Sequence, residues 1–394
     1  KTAVFLNGLG IGKNDPVALV LPNGPMMASA FLSVASCASS APLNPSYTAS
    51  EFDYYLRDLN AKAVLVQHNS KSIAIKVANE LDIPIVSLLP EKDAAEGLFS
   101  CKSSHHSNLT NKPAEIKMSD IALILHTSGT TSRPKIVPLT HKNLCTSAEN
   151  IRTTLSLSPE DRCLNIMPLF HIHGLMAALM ASMAAGASIV CTPGFYSPKF
   201  FGWLDQFRPT WYTAVPTMHQ SILNRSKDYP EIKESLSLRF IRSSSASLPP
   251  EILVSIEKTF GVPLIEAYGM TEASHQISSN PLPPGLRKPG SVGQSAGPEI
   301  AIMAEKGPEI LSPNELGEIV IHGDNVTLGY LNNPEANLNS FAKGWFRTGD
   351  QGYLDRDGYL YITGRLKEII NRGGEKISPR EVDEVLLKHP DVSQ

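Results

Sequence analysis

The segment His126–Pro138 has the sequence HTSGTTSRPKIVP, and it follows directly on the apolar run Ile121–Leu125. An apolar run of this length predicts a buried strand, so the polar segment would begin where that strand ends. Its hydroxyl groups, backbone N–H groups and two cations are the groups that a polyphosphate requires. It is not a GxxxxGK[ST] loop, because Pro134 precedes Lys135 and no Ser or Thr follows that lysine. Taken alone, the segment is compatible with a phosphate-binding loop or with a flexible polar turn.

The chain on both sides of this segment alternates between apolar strands and amphipathic helices. Predicted strands are Val17–Leu21, Ala63–Val66, Ile83–Val86, Ile121–Leu125, Ala187–Cys191 and Leu264–Ala267, and predicted helices are Met26–Ala38 and Ser50–Leu59. Such alternation predicts doubly wound α/β layers. After Pro298 the pattern changes to short strands separated by turn residues, which predicts a β-rich subdomain. Its strands are Ile300–Met303, Glu318–His322 and Tyr359–Thr363.

The composition is that of a globular chain with more than one domain. The 394 residues are 42% hydrophobic and 19% charged, and this length exceeds what one small core holds. A formal net charge of -3 argues against a dedicated nucleic-acid-binding surface. The five cysteines are widely spaced and form no CxxC pair, which favours reduced thiols in an intracellular protein.

A long uncharged segment lies between Arg162 and Lys199 and includes HGLMAALMASMAAGASIV at His173–Val190. A membrane-spanning helix needs about 20 strongly apolar residues. This segment is rich in Ala, Gly and Ser instead. We therefore predict a buried helix and a buried strand of a soluble core, and no transmembrane segment.

Four further motifs follow the polar segment in order along the chain. They are PLFHIHG at Pro168–Gly174, EAYGMTEA at Glu266–Ala273, GWFRTGD at Gly344–Asp350 and GRLKEIINRGGEKISPREV at Gly364–Val382. Taken alone, each has a structural explanation: Tyr268 as a core residue, Asp350 as a turn residue, and His171 or His173 as a buried histidine. Together with the polar segment, their order and spacing closely resemble the adenylate-forming superfamily of acyl-CoA synthetases, nonribosomal adenylation domains and luciferases.

This resemblance implies a fold and a two-step reaction. The fold is a large N-terminal region of two doubly wound α/β subdomains plus a distorted β-barrel, followed by a small α+β C-terminal domain. In the reaction, a carboxylate attacks the α-phosphate of MgATP to give an acyl-adenylate and pyrophosphate, and CoA then displaces AMP. The implied cofactors are ATP, CoA and Mg²⁺, and the implied partner is a small-molecule carboxylate.

The resemblance also implies a nucleotide site. Its phosphate loop would comprise Thr127, Ser128, Gly129, Thr130, Thr131 and Lys135, and its pocket Ser245, Ala246, Glu266, Ala267, Tyr268, Asp350 and Arg365. Within that pocket, Tyr268 would stack on adenine, and Asp350 would accept hydrogen bonds from the ribose hydroxyls with support from Arg365.

Further roles concern the reaction itself. Glu272 would bind Mg²⁺, a hard cation that prefers oxygen ligands, and Thr271 would hydrogen-bond the α-phosphate. His171 and Lys135 are the remaining catalytic candidates. Lys367 matches the hinge about which the small domain turns. The remaining implied feature is the loop that admits the CoA thiol, at Gly373 and Gly374.

Two features depart from the family pattern. Ser132 and Ile136 stand where the phosphate loop commonly has glycine, and they restrict the backbone freedom that loop closure uses. The family's catalytic lysine lies in a C-terminal P-K-T-x-x-G-K-type motif that this sequence does not contain. We therefore expect a large AMP-binding domain at 1–366 and the truncated start of the C-terminal domain at 367–394. A capping pattern at Ser378 predicts that a helix begins there.

Within the superfamily, the chain resembles the peroxisomal-type CoA synthetases and oxalyl-CoA synthetases of fungi and plants, which makes a peroxisomal or cytoplasmic location the expectation. The supporting segments are Ala41–Leu56, Thr210–Gln220, Arg242–Leu248 and Met270–Gly285, the last with the sequence MTEASHQISSNPLPPG. Oxalate needs its second carboxylate neutralised or hydrogen-bonded, because burying a bare charge is expensive. His275 would supply a charge-assisted hydrogen bond, and Ser245 and Ser247 would add hydroxyls. Arg239 and Arg242 are interpreted as structural or surface charges.

Alternatives remain open at this point. The acid could be a medium-chain fatty acid or 4-coumarate, with His275 only ordering a loop. The absent lysine motif and Ile136 favour a non-catalytic adenylate-binding scaffold, whereas the intact set of Glu272, Asp350 and Arg365 opposes it. A luciferase-like oxygenase shares the fold, but the polar pocket residues disfavour a large aromatic substrate.

Overall fold

The protein was analysed as a computed structural model that describes residues 1–103, 115–127, 134–230, 236–368, 370–372 and 375–377, together with Pro379, Val382 and Leu386. The described strands form two seven-stranded sheets, one five-stranded antiparallel sheet and a two-stranded hairpin. The α-helices are α1 (Thr2–Gly8), α2 (Pro25–Ala35), α3 (Ala49–Asp58), α4 (Ile73–Glu80), α5 (His141–Thr154), α6 (Ala181–Ala184), α7 (Ser197–Phe207), α8 (Pro216–Ser226), α9 (Pro250–Phe260) and α10 (Pro334–Ser340). A π-helix spans His173–Met180, and a 3₁₀ turn spans Thr271–Ala273.

The first sheet has a parallel centre with an antiparallel strand at each edge. Its strands are β1 (Pro16–Val20), β2 (Ser39–Pro42), β3 (Ala63–Gln67), β4 (Ile85–Pro90), β5 (Phe99–Ser103), β6 (Ile121–Thr127) and β7 (Lys135–Thr140). In the order β5-β4-β3-β1-β2-β6-β7, only the edge strands β5 and β7 run antiparallel to their neighbours. Successive residues of β1 lie in two different cores, with Leu19 in one and Ala18 and Val20 in the other. Burial on both faces explains the continuous apolar runs of these strands.

The second sheet repeats this plan. Its strands are β8 (Arg162–Asn165), β9 (Ser188–Cys191), β10 (Trp211–Ala214), β11 (Phe240–Ser243), β12 (Leu264–Met270), β13 (His275–Ser279) and β14 (Gln294–Ser295). The order is β14-β13-β12-β11-β10-β8-β9, parallel from β12 to β9 and antiparallel at β13 and β14. Trp211 and Phe240 share one apolar core with Leu19 of the first sheet, so a single core joins the two sheets.

The third sheet is antiparallel throughout. Its strands are β15 (Glu299–Met303), β16 (Gly317–His322), β17 (Phe341–Ala342), β18 (Trp345–Leu354) and β19 (Leu360–Arg365), and the separate hairpin consists of β20 (Ile370–Arg372) and β21 (Glu375–Ile377). β18 and β19 are paired so that Asp350 lies opposite Arg365. This register brings two predicted nucleotide-binding residues side by side.

The predicted fold class is confirmed in its two α/β sheets and its β-rich part. The uncharged segment forms the largely buried π-helix, then α6 and then β9. The helix is buried as predicted, whereas β9 is an edge strand whose residues are half-buried or exposed. The part of the chain that the structure describes contains no helix long and apolar enough to span a membrane. The boundary at 366/367 stays a prediction, and most of the helix predicted after Ser378 lies outside the described residues.

Candidate active site

A cavity of about 230 Å³ lies at the carboxyl ends of β11 and β12, where they approach the third sheet. Carboxyl ends of parallel strands are where α/β folds bind ligands. Seven of the predicted binding residues line it: Ser245, Ala246, Ser247, Ala267, Tyr268, Asp350 and Arg365. The cavity therefore gathers residues that are up to 120 positions apart in the sequence.

One wall of the cavity is a hydrogen-bonded set made of Tyr268, Asp350 and Arg365. The Tyr268 hydroxyl donates to Oδ2 of Asp350 at 2.5 Å, and the Arg365 Nε lies 3.2 Å from Oδ1. Burial raises the pKa of Asp350, although the Tyr268 hydrogen bond and the Arg365 charge oppose this shift. The carboxylate is held in one orientation at the cavity surface, where ligand hydroxyls can reach it.

Glu272 lies in the 3₁₀ turn that follows β12 and is only 6% exposed. Its Oε1 accepts a hydrogen bond of 2.8 Å from the Tyr330 hydroxyl, and the Lys135 Nζ lies 4.4 Å from the centre of the same Tyr330 ring. Burial raises the pKa of Glu272, and the positive charge of Lys135 counteracts the rise. Tyr330 therefore connects the predicted metal ligand to the predicted phosphate-binding lysine.

Lys135 begins β7, directly opposite Thr127 at the end of β6. Burial and the nearby charge of Lys367 lower the pKa of Lys135. Lys367 is exposed and lies in a turn after β19, in which the Glu368 N–H donates to the Arg365 carbonyl. The remaining loop residues, Ser128, Gly129, Thr130 and Thr131, lie outside the described residues, as do Gly373 and Gly374.

Several predicted residues do not line this cavity, among them Glu266, Thr271, His171 and His275. Glu266 is buried, and its Oε1 accepts a 3.3 Å hydrogen bond from the Leu248 N–H, so it supports the loop that carries Ser245. Thr271 is half-buried and begins the 3₁₀ turn. His171 is exposed beside the ring of Phe170. The histidine that reaches the cavity wall is His173, whose Nδ1 lies 2.9 Å from the Ser245 Oγ.

Behind Ser245 lies a buried polar group that we call the Arg242 cluster, consisting of Arg242, Thr213, His173, His275 and Gln276. The Arg242 guanidinium is fully buried, and its partners among the described residues are all neutral: Nη1 lies 3.2 Å from the His275 Nε2 and 3.4 Å from the Thr213 Oγ1, and Nη2 lies 3.2 Å from the Gln276 Oε1. The two imidazoles stack with ring centres 4.8 Å apart. The cluster reaches the cavity through the hydrogen bond between His173 and Ser245.

The cluster carries one positive charge, and it resides on Arg242. Burial lowers the pKa of Arg242 to about 9, which leaves the guanidinium protonated at neutral pH. Burial and the charge of Arg242 hold the pKa values of His173 and His275 well below the ordinary range, so both imidazoles are neutral. A hydrogen bond from His275 to a carboxylate would therefore take its charge from the carboxylate alone, and of the two interpretations given for Arg242, structural or surface charge, burial leaves the structural one. Arg239 is structural as predicted, paired with Asp161 at 2.9 Å.

Unusual backbone conformations support these positions. Ser245 and His275 have φ values of 74° and 90°, which side-chain-bearing residues rarely adopt and which recur at functional sites. The pairing of β12 with β13 shifts register between Tyr268 and Gly269. A Cβ at Gly269 would overlap the carbonyl oxygen of His275. The glycine of the GMTE sequence thus allows His275 to approach β12.

Sequence reasoning did not place Arg242 near the candidate site. The signal was present, because Arg242 sits between Ile241 and Ser243 in a strand at the centre of a sheet that is covered on both faces. A charged residue in such a strand is buried whichever face it takes. Tyr330 was also missed, since no motif singled it out.

Comparison with known proteins places this site in a family. The model of the AMP-binding enzyme family matches residues 1–331. The chain belongs to the AMP-binding enzyme family. An oxalate–CoA ligase of Arabidopsis thaliana is 50% identical over 99% of this chain and 76% of its own length. An oxalate–CoA ligase of Saccharomyces cerevisiae is 42% identical over 97% of this chain and 74% of its own length.

A solved structure gives the same fold for this AMP-binding enzyme. The o-succinylbenzoate CoA synthetase of Bacillus subtilis, in complex with ATP and magnesium ion, superposes with a TM-score of 0.83 at 31% identity, over all of this chain and 78% of that one. The family assignment made from the five motifs is therefore confirmed.

Proposed function

We propose that this protein is an AMP-forming acid–CoA ligase whose acid is oxalate. The observation that carries the choice of acid is the fully buried guanidinium of Arg242, which meets only neutral partners among the described residues. Buried charges are normally paired, because an unpaired charge loses its hydration without compensation. An acid with a second carboxylate supplies the missing negative charge, whereas a fatty acid would place a hydrocarbon there.

The nucleotide would bind against the wall of Tyr268, Asp350 and Arg365. Tyr268 is aromatic and largely buried, so it offers a ring face to adenine. Asp350 has both oxygens oriented by protein donors and can accept hydrogen bonds from the two ribose hydroxyls. Ser245, Ala246, Ser247 and Ala267 complete the cavity with small side chains that leave room for the ligand.

The residues also fit a magnesium ion. The described residues contain no cluster of three or more His, Cys, Asp or Glu side chains that would hold a metal by themselves. Mg²⁺ commonly binds one or two carboxylates and takes its other ligands from substrate phosphates and water. Glu272 would be that carboxylate. The ion, when bound, shields phosphate charge and assists the departure of pyrophosphate.

The reaction would have two steps. One carboxylate of oxalate forms a bond to the α-phosphorus of ATP as the bond to pyrophosphate breaks, and the thiolate of CoA then forms a bond to the acyl carbon as AMP leaves. In the first step Lys135 would hold phosphate charge, and Thr271 would hydrogen-bond the α-phosphate. His275 and Ser245 would hold the second carboxylate, and His173 would position Ser245 through its Nδ1. His171 stays a catalytic candidate. Ser247 lines the same cavity and adds a hydroxyl.

Two assignments rest on position in the chain. Lys367 would be the hinge, because it lies in the turn that follows the last strand of the third sheet. Residues 367–394 would begin the C-terminal domain, with Gly373 and Gly374 on the path of the CoA thiol. The five cysteines are free thiols, which supports action inside the cell, in the cytoplasm or the peroxisome.

The test is AMP release by the full-length protein with MgATP and CoA. Oxalate, hexanoate and p-coumarate are offered separately at equal concentration. We expect a strong preference for oxalate. Preference for either monoacid would support the ligase activity but contradict the choice of oxalate as the acid. If none of the three acids supports AMP release although ATP binding is measurable, the result would favour a non-catalytic adenylate-binding protein.

A further inference from the structure

The hydrogen bonds of the Arg242 cluster have a defined direction. A guanidinium can only donate hydrogen bonds, whereas a neutral imidazole has one donor nitrogen and one acceptor nitrogen. Every bond that begins at Arg242 therefore fixes the role of the group that receives it. The amide of Gln276 agrees with this direction: its Nε2 donates to the Ala296 carbonyl at 3.0 Å, which leaves Oε1 to face the guanidinium.

The first branch runs from Arg242 to His275. The Arg242 Nη1 lies 3.2 Å from the His275 Nε2, so this nitrogen is the acceptor. A neutral imidazole whose Nε2 accepts carries its proton on Nδ1. Arg242 thereby makes the Nδ1 of His275 a hydrogen-bond donor.

The second branch runs from Arg242 through Thr213 to His173. The Thr213 Oγ1 accepts from Arg242 at 3.4 Å and lies 2.6 Å from the His173 Nε2. A buried hydroxyl proton without an acceptor is unfavourable, so Thr213 donates to His173. The proton of His173 is then on Nδ1, which donates to the Ser245 Oγ at 2.9 Å. Ser245, whose oxygen already accepts, keeps its own proton to donate into the cavity that it lines.

The acid pocket is the part of the cavity at Ser245, with His275 of the Arg242 cluster behind it. We propose that Arg242 and Thr213 are positioning residues that set the tautomers of His173 and His275, so that this pocket offers donors and no imidazole acceptor to the substrate. This inference rests on the proposed function, because it explains how that same pocket would recognise the second carboxylate of the acid. A carboxylate only accepts hydrogen bonds, so a pocket of donors suits it. A neutral acyl chain or an amide N–H at the same place would leave these donors unpaired, which is unfavourable.

Thr213 allows a matched pair of variants. Thr213→Val keeps the side-chain shape and removes the hydroxyl that connects Arg242 to His173, whereas Thr213→Ser keeps the hydroxyl. We expect Thr213→Val to raise the KM for oxalate about tenfold, the effect of one lost buried hydrogen bond, with an unchanged KM for ATP. Thr213→Ser should restore the KM for oxalate. Arg242→Gln should have the larger effect on the same KM, and the Thr213 pair keeps the test valid if that variant does not fold.

The decisive readout is nitrogen NMR of the full chain labelled with ¹⁵N-histidine, in which single His→Gln variants assign His173 and His275. We expect both imidazoles to be neutral with the proton on Nδ1, and we expect the His173 signals to shift in Thr213→Val but not in Thr213→Ser. A proton on Nε2 of either histidine, or a KM for oxalate that is the same in Thr213→Val as in wild type, would overturn the positioning role.

The two proposals fail in different ways. If the wild-type protein does not activate oxalate while both histidines carry their protons on Nδ1, the choice of acid is wrong and the positioning role stands. If oxalate is activated while either histidine carries its proton on Nε2, the choice of acid stands and the positioning role is wrong.

Discussion

Two polar regions flank β12, and they balance charge in opposite ways. On one side, the Asp350 carboxylate is paired with Arg365, whose side chain is 61% exposed, and with the Tyr268 hydroxyl. On the other side, the Arg242 guanidinium is fully buried and has only neutral partners among the described residues. In the first region the carboxylate charge is already balanced by a cation, and the carboxylate oxygens are oriented to accept hydrogen bonds from hydroxyl groups. In the function that we propose, an anion completes the second region, and this region selects the acid.

The largest effect is expected at Glu272, the proposed ligand of the magnesium ion that accompanies the ATP phosphates. Glu272→Gln removes the only charge that this side chain can offer a metal ion, so we expect kcat/KM to fall by at least about 100-fold for every acid. Steady-state AMP release measures this loss. Glu335→Gln, on the exposed surface of α10, is the matched control and should retain wild-type activity. A Glu272→Gln variant that is as active as this control would contradict the proposal that Glu272 binds a metal ion needed for the reaction.

A backbone change tests whether the two regions depend on the same strand. Gly269→Ala forces β12 and the His275 carbonyl apart, so we expect a loss of roughly 2–4 kcal/mol in the free energy of unfolding. Gly202→Ala in α7 is the control, because a Cβ there meets nothing within 4 Å. Urea denaturation compares the two variants. Equal stability would show that the close approach of His275 to Gly269 is dispensable.

A side-chain change separates the regions. His275→Ala leaves the nucleotide wall intact and removes a donor from the acid pocket, so the KM for oxalate should rise by about 5- to 100-fold. The KM for ATP should stay within about twofold of the wild-type value, since His275 has no contact with the nucleotide wall in our account. His322→Ala, an exposed histidine on β16, serves as the control. Unchanged oxalate kinetics in a folded His275→Ala protein would contradict the role of His275.

The smallest effect is a pH-dependent gain in stability for Asp350→Asn. The pKa of Asp350 is raised above its ordinary 3.8 in the folded state, so the ionised carboxylate destabilises the fold at pH values above the folded pKa. We expect Asp350→Asn to melt about 1–2 °C above wild type at pH 7. This advantage should shrink as the pH falls through the folded pKa and vanish below 3.8, where the wild-type carboxyl is protonated in both the folded and the unfolded state. ATP binding should weaken in the same variant. Asp205→Asn on the surface of α7 should show neither change.

The cavity wall proposed to bind the nucleotide could be predicted from sequence, because its residues lie in motifs whose order identifies the family. Tyr268 and Asp350 lie in motifs whose spacing matches a known family. The structure places them in two different sheets that meet at the cavity, within hydrogen-bonding distance of each other. The apolar runs likewise predicted the two buried sheets, since parallel strands covered on both faces need such runs.

The acid pocket could not be predicted to the same depth. The sequence does not say whether His171 or His173 faces inward, because that depends on where the π-helix begins. It does not give the charge of His275 either, because that follows from burial and from the neighbouring guanidinium. Both facts depend on contacts between residues that are far apart in the chain, and the local periodicity of the sequence does not reveal such contacts.

The most direct test of the account compares oxalate with glycolate, a monoacid of similar size that has a hydroxyl in place of the second carboxylate. The measurement is kcat/KM for AMP release by the full-length protein with saturating MgATP and CoA. We predict a preference of at least about 100-fold for oxalate, the effect of one charged hydrogen-bonding group meeting a pocket of donors next to a buried cation. Equal kcat/KM values for the two acids would contradict the claim that the Arg242 cluster selects a second carboxylate.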